Sequence, residues 1–295
     1  MPKSKNILVV TGGSGFIGSN LIELLLKKTN FKLISIDNYS SGFKKNHINN
    51  RRIKYIKCHT KDIYKKLKKF KHNIHSLFHF GEFARIYQSF LHYNQCIESN
   101  FIGSQEVIRF CLENKIKLIY SATSASLGNS GKDKDLSPYA FTKSRNLELL
   151  NNLKKWFNFK FEIIYFYNVY GPKQIKTGKM ATVIGIFEDC FEKKIPLPVV
   201  KPGMQSRRFT HIKDTVEICF LAWKKNLCRH YAISNRQSYT ILQIAQMFRT
   251  KIKFLPPRKG ERYASKLTRM NLSNRIYRFY GKYKIKDYIQ NLIQH

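Results

Sequence analysis

The chain has 295 residues, of which 43% are hydrophobic, so it is long enough to bury a sizeable core as one large or two unequal domains. Lysine and arginine outnumber aspartate and glutamate by 54 to 18, and a formal net charge of +36 favours anionic partners: nucleic acid, an anionic membrane surface or a phosphorylated substrate. The basic residues are scattered, with no basic tail and no RNA-binding signature, so we expect no specific nucleic-acid partner.

The N-terminal segment has the pattern of a dinucleotide-binding site. Residues 7–11 are continuous in aliphatic side chains, which predicts a buried strand, and residues 19–28 have the periodicity of a helix. Between them lie Gly12, Gly15 and Gly18. Glycines at this spacing let a loop approach a pyrophosphate at the N-terminus of the helix that follows.

A second strand is predicted over residues 32–36, and Asp37 follows it directly. A carboxylate at this position accepts hydrogen bonds from both ribose hydroxyls and repels a 2′-phosphate. The sequence therefore favours NAD over NADP. The alternative is that Asp37 is a turn residue within the segment 37–42.

Strands and helices alternate through the first 168 residues. Further strands are predicted at residues 53–60, 74–80, 117–120 and 161–166, and helices at residues 96–114 and 139–157. This order predicts an α/β fold, a doubly wound parallel sheet of the Rossmann type with right-handed crossovers. We therefore predict an NAD-binding domain at residues 1–168. Residues 169–295 are predicted to form a smaller α/β domain that binds the substrate, with some segments returning to the sheet.

The segment from Ser137 to Lys143 places a phenol and an ammonium four residues apart at a helix start. Ser137 is a good N-cap and Pro138 suits the first helical position, so Tyr139 lies in the first turn and shares a face with Lys143. A nearby ammonium, the helix N-terminus and a cationic cofactor ring would each lower the pKa of the phenol and favour its use as a base. Alone, such a pair is also typical of a solvated helix face.

The six cysteines show no CxxC pair and no spacing typical of a zinc site, so neither a metal nor a disulfide framework is expected. No apolar run is long enough for a transmembrane segment, and the apolar segment near the N-terminus is too short for the core of a signal peptide. These features favour a reducing cytoplasm.

Taken in order, the motifs resemble the extended short-chain dehydrogenase/reductase superfamily, and within it the NAD-dependent nucleotide-sugar epimerase/dehydratase family. The segments that carry the resemblance run through nearly the whole chain: residues 11–18, Asp37-Asn38, Asp62-Ile63, Asn100, Tyr139 with Lys143, Asn168-Val169-Tyr170-Gly171-Pro172, residues 207–214 and Arg258-Lys259-Gly260-Glu261.

The resemblance implies NAD as cofactor and a role for each matching residue. The residues implied in cofactor binding are Gly12, Gly15 and Gly18 at the pyrophosphate, Phe16 and Ile17 at the helix start, Asp37 and Asn38 at the adenosine ribose, Asp62 and Ile63 at the adenine, Phe80, Gly81 and Asn100 along the cofactor, and Lys143 between the nicotinamide ribose and Tyr139. Thr123, Tyr139 and Lys143 are the implied catalytic residues. The residues implied in substrate binding are Thr123, Ser124, Asn168, Arg207 and Arg258.

Two departures from the family pattern narrow the implied reaction. The 4,6-dehydratases of the family resemble Thr-Asp-Glu at the position of Thr123, and its decarboxylases resemble Thr-Ser-Glu. Here Ser124 and Ala125 follow, so the carboxylates of both are missing. The catalytic groups that remain are those that the resemblance implies for a 4-epimerase: one hydroxyl, one tyrosine, one lysine and NAD. Leu127 and Arg208 also depart from the pattern, at positions around the sugar.

The resemblance thus implies an isomerase, a nucleotide-sugar 4-epimerase that acts on UDP-glucose, UDP-galactose or a related UDP-hexose through a transient 4-keto sugar. The alternatives are another epimerase or a reductase of the family, or a catalytically silent NAD-binding protein. The resemblance also implies a homodimer built on helices around residues 100–111 and 146–157. Glu82 and Arg85 lie near the predicted cofactor edge, an ion pair between them is an equal alternative, and no catalytic role is assigned to them.

Overall fold

A parallel sheet of eight strands runs through the centre of the molecule, in a computed structural model that describes residues 5–124, 134–257 and 276–294. The strands of the described residues are β1 (Ile7–Thr11), β2 (Lys32–Asp37), β3 (Ile53–Lys57), β4 (Ile74–His79), β5 (Lys117–Thr123), β6 (Phe161–Phe166), β7 (Val169–Tyr170), β8 (Leu197–Val200), β9 (Ser206–Arg207), β10 (Thr210–His211), β11 (His230–Ser234), β12 (Tyr239–Thr240), β13 (Ile252–Leu255) and β14 (Ile276–Tyr280).

The α-helices of the described residues are α1 (Phe16–Lys28), α2 (Ile63–Leu67), α3 (Ile86–Leu91), α4 (Tyr93–Ile97), α5 (Ser104–Glu113), α6 (Pro138–Phe157), α7 (Val183–Glu192), α8 (Ile212–Lys225), α9 (Ile241–Met247) and α10 (Ile285–Gln294). Short 3₁₀ turns lie at Lys44–Asn46, Thr60–Asp62 and Lys68–Asn73.

The order of strands in the sheet is β14-β11-β6-β5-β4-β1-β2-β3, and every neighbouring pair is parallel. The predicted α/β fold with a doubly wound parallel sheet is therefore confirmed. The first six strands of the chain form one continuous part of it. Strands β11 and β14, from the second half of the chain, extend the sheet beyond β6.

Both faces of the sheet are buried, which explains the unbroken aliphatic strands. In β1, Ile7 and Val9 point into one apolar cluster with helices α2, α5 and α6, whereas Leu8 and Val10 point into another with α1 and α8. Each burial of a side chain of this size contributes about 1.5–3 kcal/mol, so the two clusters fix the register of the strands. The carboxyl ends of the strands are thereby held at one edge.

The second half of the chain also builds a third apolar cluster, separate from the two that cover the sheet. It joins α7, α9 and α10 to strand β8, which pairs with β13. Phe187, Phe209 and Phe248 are completely or almost completely buried in it. This cluster lies beside the strand ends and supplies one wall of the site described below.

The predicted helix over residues 96–114 is not one regular helix. Helix α4 is followed by a π-helical segment, Glu98–Gly103, before α5 begins. Within this segment the amide of Asn100 is buried and bonds both backbone groups of Phe83, accepting from the N–H at 2.6 Å and donating to the carbonyl at 2.9 Å. Side-chain bonds to a neighbouring loop thus accompany the departure from α geometry, which often lies near a functional site.

Among the residues that the structure describes, no helix combines the length and apolar character that a membrane crossing requires.

Candidate functional site

A cavity of about 540 Å³ lies at the carboxyl ends of the central strands. Its floor comes from the residues that end or follow β1, β2, β4, β5 and β6, and its far wall from α7, β8 and the segment around Arg207. In parallel sheets this edge is where ligands bind. Residues from the second half of the chain therefore lie at the strand ends, while the division into domains at residues 168 and 169 stays a prediction.

The glycine loop at the end of β1 has the tight geometry that a cofactor cradle needs. Gly12 has φ +67°, and a Cβ there would lie 2.7 Å from the carbonyl oxygen of Phe80. A Cβ on Gly18 would lie only 2.1 Å from the carbonyl oxygen of Gly12. Gly15 is the N-cap of α1 and supplies no capping side chain, so N–H groups of the first turn stay available to an anion.

Asp37 lies at the end of β2 beside this loop, with only 7% of its surface exposed, and it lines the cavity together with Asn38. Its carboxylate accepts hydrogen bonds from the N–H groups of Ser14 at 2.9 Å and Tyr39 at 2.8 Å. Burial raises its pKa above the ordinary value, and the two backbone bonds oppose that rise. The carboxylate is thus held in position next to the pyrophosphate cradle.

Three residues predicted to contact the cofactor do not line this cavity. Ile63 is completely buried in the core, and Asp62 is exposed at the start of α2. Cys58 and Thr60 line that part of the cavity instead. Asn100 is buried and acts on the loop after β4 through its bonds to Phe83. A role of these three at the adenine or along the cofactor stays a prediction.

Helix α6 begins as its sequence predicts. The hydroxyl of Ser137 caps it by accepting from the N–H of Ala140 at 3.1 Å, with Pro138 as the first helical residue. This places Tyr139 and Thr123 in the cavity wall, where the two side chains are hydrogen-bonded to each other. The structure therefore brings the hydroxyl of Thr123 and the phenol of Tyr139 together, although the two residues are 16 positions apart in the sequence.

The pKa of Tyr139 departs from the expectation. Burial raises it to about 12, the hydrogen bond from Thr123 and the charge of Arg85 oppose the rise, and the negative charge of Glu82 adds to it. The protein groups alone therefore raise the pKa of this phenol, chiefly through its burial.

Lys143 is buried, with 5% of its side chain exposed, and its ammonium donates to the carboxylate of Glu82 and to the backbone carbonyl of Ser121. The Glu82 side chain is 2% exposed. Its carboxylate also accepts from the hydroxyls of Ser104 and Tyr120, each at 2.9 Å. Sequence analysis placed Glu82 near the cofactor edge but assigned it no role. Its position shortly after β4, at the same edge of the sheet as Thr123, was the available signal.

Arg85 does not pair with Glu82. Its guanidinium donates to the backbone carbonyls of Ala181 at 3.2 Å and Met180 at 2.5 Å, and it faces Tyr139. Arg85 and both of its carbonyl partners line the cavity. It therefore ties the loop before α7 to the end of β4 and closes the site on that side.

The described residues predicted to bind the substrate come from two parts of the cavity, the residues that follow β5 and β6 and the segment around Arg207. Ser124, Asn168 and Arg207 line the cavity. Asn168 has φ +35° and donates from its amide to the carbonyl of Arg208 at 2.9 Å. Arg258 lies outside the described residues, as do Ala125, Leu127 and the segment 259–261.

A further polar residue of the cavity was missed by sequence reasoning. Gln205 is 1% exposed and lines the cavity, and neither atom of its amide has a hydrogen-bond partner among the residues that the structure describes. Pro198, Val200 and Ile241 also line the cavity. A buried amide without a protein partner in an otherwise apolar wall is suited to bonding a ligand.

Within residues 5–124, 134–257 and 276–294, no group of three or more His, Cys, Asp or Glu side chains is placed to hold a metal ion.

Comparison with known proteins identifies the family of this chain. The model of the "NAD dependent epimerase/dehydratase family" matches residues 8–234. An uncharacterized UDP-glucose epimerase of Bacillus subtilis is 30% identical over 229 residues, which cover 71% of this chain and 70% of the relative. An ADP-L-glycero-D-manno-heptose-6-epimerase of Brachyspira hyodysenteriae is 29% identical over 228 residues, covering 72% and 70%.

Among solved structures, a UDP-N-acetylglucosamine 4-epimerase of Methanobrevibacter ruminantium, in complex with UDP-N-acetylmuramic acid, superposes with a TM-score of 0.81 at 25% identity, covering 99% of this chain and 97% of that one. The family match spans the glycine loop, the Tyr139 helix and the sheet as far as β11. The chain belongs to the NAD-dependent epimerase/dehydratase family, and its cofactor is NAD.

Proposed function

We propose that this enzyme is a nucleotide-sugar 4-epimerase whose substrate is a UDP-hexose. UDP-glucose and UDP-galactose are the first candidates. The observation that carries the proposal is the hydrogen bond between Thr123 and Tyr139 in the wall of the cavity that also contains the glycine cradle. One hydroxyl and one phenol at the cofactor site are what the removal and return of a proton at a sugar hydroxyl require. The relatives named as UDP-sugar epimerases support the same substrate class.

The residues of the chain have separate tasks in this proposal. Tyr139 takes the proton of the sugar 4-hydroxyl and returns it, and Thr123 orients that oxygen by sharing the hydrogen bond. Arg207 and Asn168 bind the diphosphate, since a guanidinium fork matches its oxygens. NAD, when bound, supplies the acceptor and donor of the hydride.

The cradle fits NAD. The backbone approach at Gly12 and Gly18 admits no side chain, as a pyrophosphate site requires, and Asp37 holds a carboxylate beside it. Lys143 also lines the cavity, and we assign it to the nicotinamide ribose.

Dehydration is a poorer match to this site than epimerisation. An elimination needs a free acid and a free base, and Ser124 carries no carboxylate. Glu82 is a carboxylate of the cavity wall, but its oxygens are already engaged by Lys143, Ser104 and Tyr120. It is therefore not free to exchange protons with a sugar.

The test is to incubate purified protein with UDP-glucose, UDP-galactose and their N-acetyl counterparts, and to follow the sugar by proton NMR. Inversion at C4 without net formation of NADH is the expected result. An ADP-heptose is the informative extra substrate, because one relative is named a heptose-6-epimerase. Inversion at C6 of that sugar, with none at C4 of the UDP-sugars, would replace the proposed reaction by that one.

Replacing Asp37 by Asn should weaken NAD binding and relax the selection against NADP. The change removes the charge that binds the ribose hydroxyls and repels a 2′-phosphate, so we expect NAD affinity to fall about tenfold and the NAD/NADP ratio to fall further. Binding of both cofactors is measured by calorimetry. Asp214→Asn is the matched control, because Asp214 is also a buried aspartate that bonds a backbone N–H, that of Tyr283, and does not line the cavity. Equal losses in both variants would contradict a ribose role for Asp37.

We also propose that the chain forms a homodimer through the helical face that contains the π-helical segment and α6. Phe101, Ile102 and Phe141 are 40%, 48% and 42% exposed there, which is a large apolar area to leave in water. The double change of Phe101 and Ile102 to Glu should convert the dimer to monomer in sedimentation velocity. Phe254→Glu is the control, because Phe254 is 45% exposed on β13. Dimers that persist in the double variant would place the contact elsewhere.

A further inference from the structure

Glu82 and Lys143 form a buried ion pair in the lining of the cavity that also contains the proposed base, Tyr139. Taking two such charges out of water costs several kcal/mol per ion, and one contact does not offset that cost unless other hydrogen bonds satisfy both groups. In this pair, further hydrogen bonds do satisfy both charged groups. Lys143 also donates to the carbonyl of Ser121, and Glu82 accepts from Ser104 and Tyr120.

The network continues away from the cavity and holds Glu82 rigidly. The Ser104 hydroxyl is also 2.9 Å from Nε2 of His79, whose Nδ1 is 2.7 Å from the hydroxyl of Thr11. The Tyr120 hydroxyl is 3.1 Å from the amide of Asn146, which donates to it. A fully satisfied network of this kind allows one arrangement of its side chains. Residues of β4, β5 and α5 thus fix the position of the Lys143 ammonium.

Most other titratable groups around the pair are uncharged near neutral pH. The groups that face Glu82 or its partners are His79 on β4, Tyr120 on β5, Cys96 on α4, Tyr139 and Lys143 on α6, and Arg85 after β4. Burial lowers the pKa of His79 to about 4 and raises those of Cys96, to about 11, and Tyr120. Glu82, Lys143 and Arg85 therefore supply the charges that act on Tyr139.

We propose that Glu82 is a positioning residue that pairs the Lys143 ammonium and withholds its charge from Tyr139, so that the phenol becomes a base only when the positively charged nicotinamide ring lies beside it. The inference rests on the proposed role of Tyr139 as base. Glu82 itself need not touch the sugar, because both of its oxygens are engaged. Its effect reaches the reaction through Lys143 and through the field at the phenol.

The direction of the effect follows from the charges. Glu82 acts to raise the pKa of Tyr139, and it opposes the lowering of the Lys143 pKa that burial causes. If Gln replaces Glu82 and Lys143 stays charged, the pKa of Tyr139 falls, since the anion is gone and the ammonium is no longer neutralised. The pKa of Lys143 falls as well, because it has lost its partner.

The experiment measures the protons released when NAD⁺ binds, in protein freed of cofactor and without any sugar. Calorimetry in buffers of different ionisation enthalpy gives this number at each pH. In Glu82→Gln the profile of proton release should lie about one pH unit lower than in the wild type. Glu82→Asp keeps the charge but withdraws it by one methylene, so its profile should be displaced in the same direction by less.

Glu162→Gln is the matched control. Glu162 is completely buried, and its carboxylate is 2.8 Å from the ammonium of Lys117, but this pair lies at the start of β5 and β6, away from the cavity. It should lose stability much as Glu82→Gln does, while its proton-release profile coincides with that of the wild type. Profiles of Glu82→Gln and Glu82→Asp that also coincide with the wild type would overturn the proposal.

Turnover provides an independent readout, provided the substrate is found. Both limbs of the pH profile of kcat should move to lower pH in Glu82→Gln, the acid limb with Tyr139 and the alkaline limb with Lys143. If no UDP-sugar is converted at all, the proposed reaction fails while proton release still tests Glu82. If turnover is found but neither readout moves, Glu82 is structural only.

Discussion

Replacing Tyr139 by Phe is expected to reduce kcat by about a thousandfold while the fold and the affinity for NAD are kept, because a positioned acid–base group contributes about 10²–10⁴ in rate. The substitution removes one oxygen atom. That oxygen is hydrogen-bonded to Thr123 in the cavity wall, so the stability cost should be about 1 kcal/mol. Turnover is followed by NMR of the sugar, and folding by the temperature of unfolding.

Tyr231→Phe is the control for this experiment. Tyr231 is completely buried in the cluster between the sheet and α8, and its hydroxyl has no hydrogen-bond partner among the described residues. The same oxygen is removed, but away from the cavity, so turnover should be unchanged. Near-normal turnover in Tyr139→Phe would exclude Tyr139 as the base. A loss of turnover accompanied by a loss of NAD binding would instead indicate a structural role.

The features that sequence predicted well are those whose signal is local. The glycine loop, strand β1 and the cap of α6 at Ser137 each depend on a few adjacent residues, and the structure has all of them. His79 and His211 are structural residues whose rings have hydrogen-bond partners. His79 bonds two hydroxyls, and His211 caps α8 by accepting from the N–H of Lys213.

The features that sequence could not supply depend on which distant segments meet. Strand β14 is half-exposed and pairs with β11, and nothing in either pattern specifies that pairing. The partner of Glu82 is of the same kind. Arg85 is three residues away and looked like the natural counter-ion, but the helix that carries Lys143 packs over the end of β5 and brings the ammonium to the carboxylate. Arg85 then bonds carbonyls of a different loop.

The same ion pair also bears on the pKa of Tyr139, which burial raises to about 12 among the protein groups alone. The sequence places an ammonium one helical turn from the phenol, and an unpaired ammonium there would lower the pKa of Tyr139. A carboxylate 61 residues away in the chain neutralises it. The pKa of Tyr139 therefore depends on the tertiary structure, because the groups that act on it come from distant segments of the chain.

Replacing Gly18 by Ala should abolish useful NAD binding. A Cβ at this position would lie 2.1 Å from the carbonyl oxygen of Gly12 and 2.8 Å from the Cα of Gly13, and both are backbone atoms that cannot rotate away. Either the loop or the start of α1 has to move, and both contribute to the pyrophosphate cradle. We expect NAD affinity to fall at least about a hundredfold, equivalent to about 2.8 kcal/mol, together with a lower temperature of unfolding.

Gly178→Ala separates the loss of binding from the loss of stability. Gly178 has φ +78°, and apart from its two chain neighbours no heavy atom of the described residues lies within 4 Å of the position that its Cβ would occupy. Alanine there costs about 1 kcal/mol of backbone strain but collides with nothing, so NAD affinity should not change. If Gly18→Ala loses stability yet binds NAD as the wild type does, the close approach of α1 to Gly12 serves helix packing rather than the cofactor. If only Gly18→Ala loses affinity, the backbone of this loop is the pyrophosphate site, because a single methyl group has then removed the approach on which binding depends.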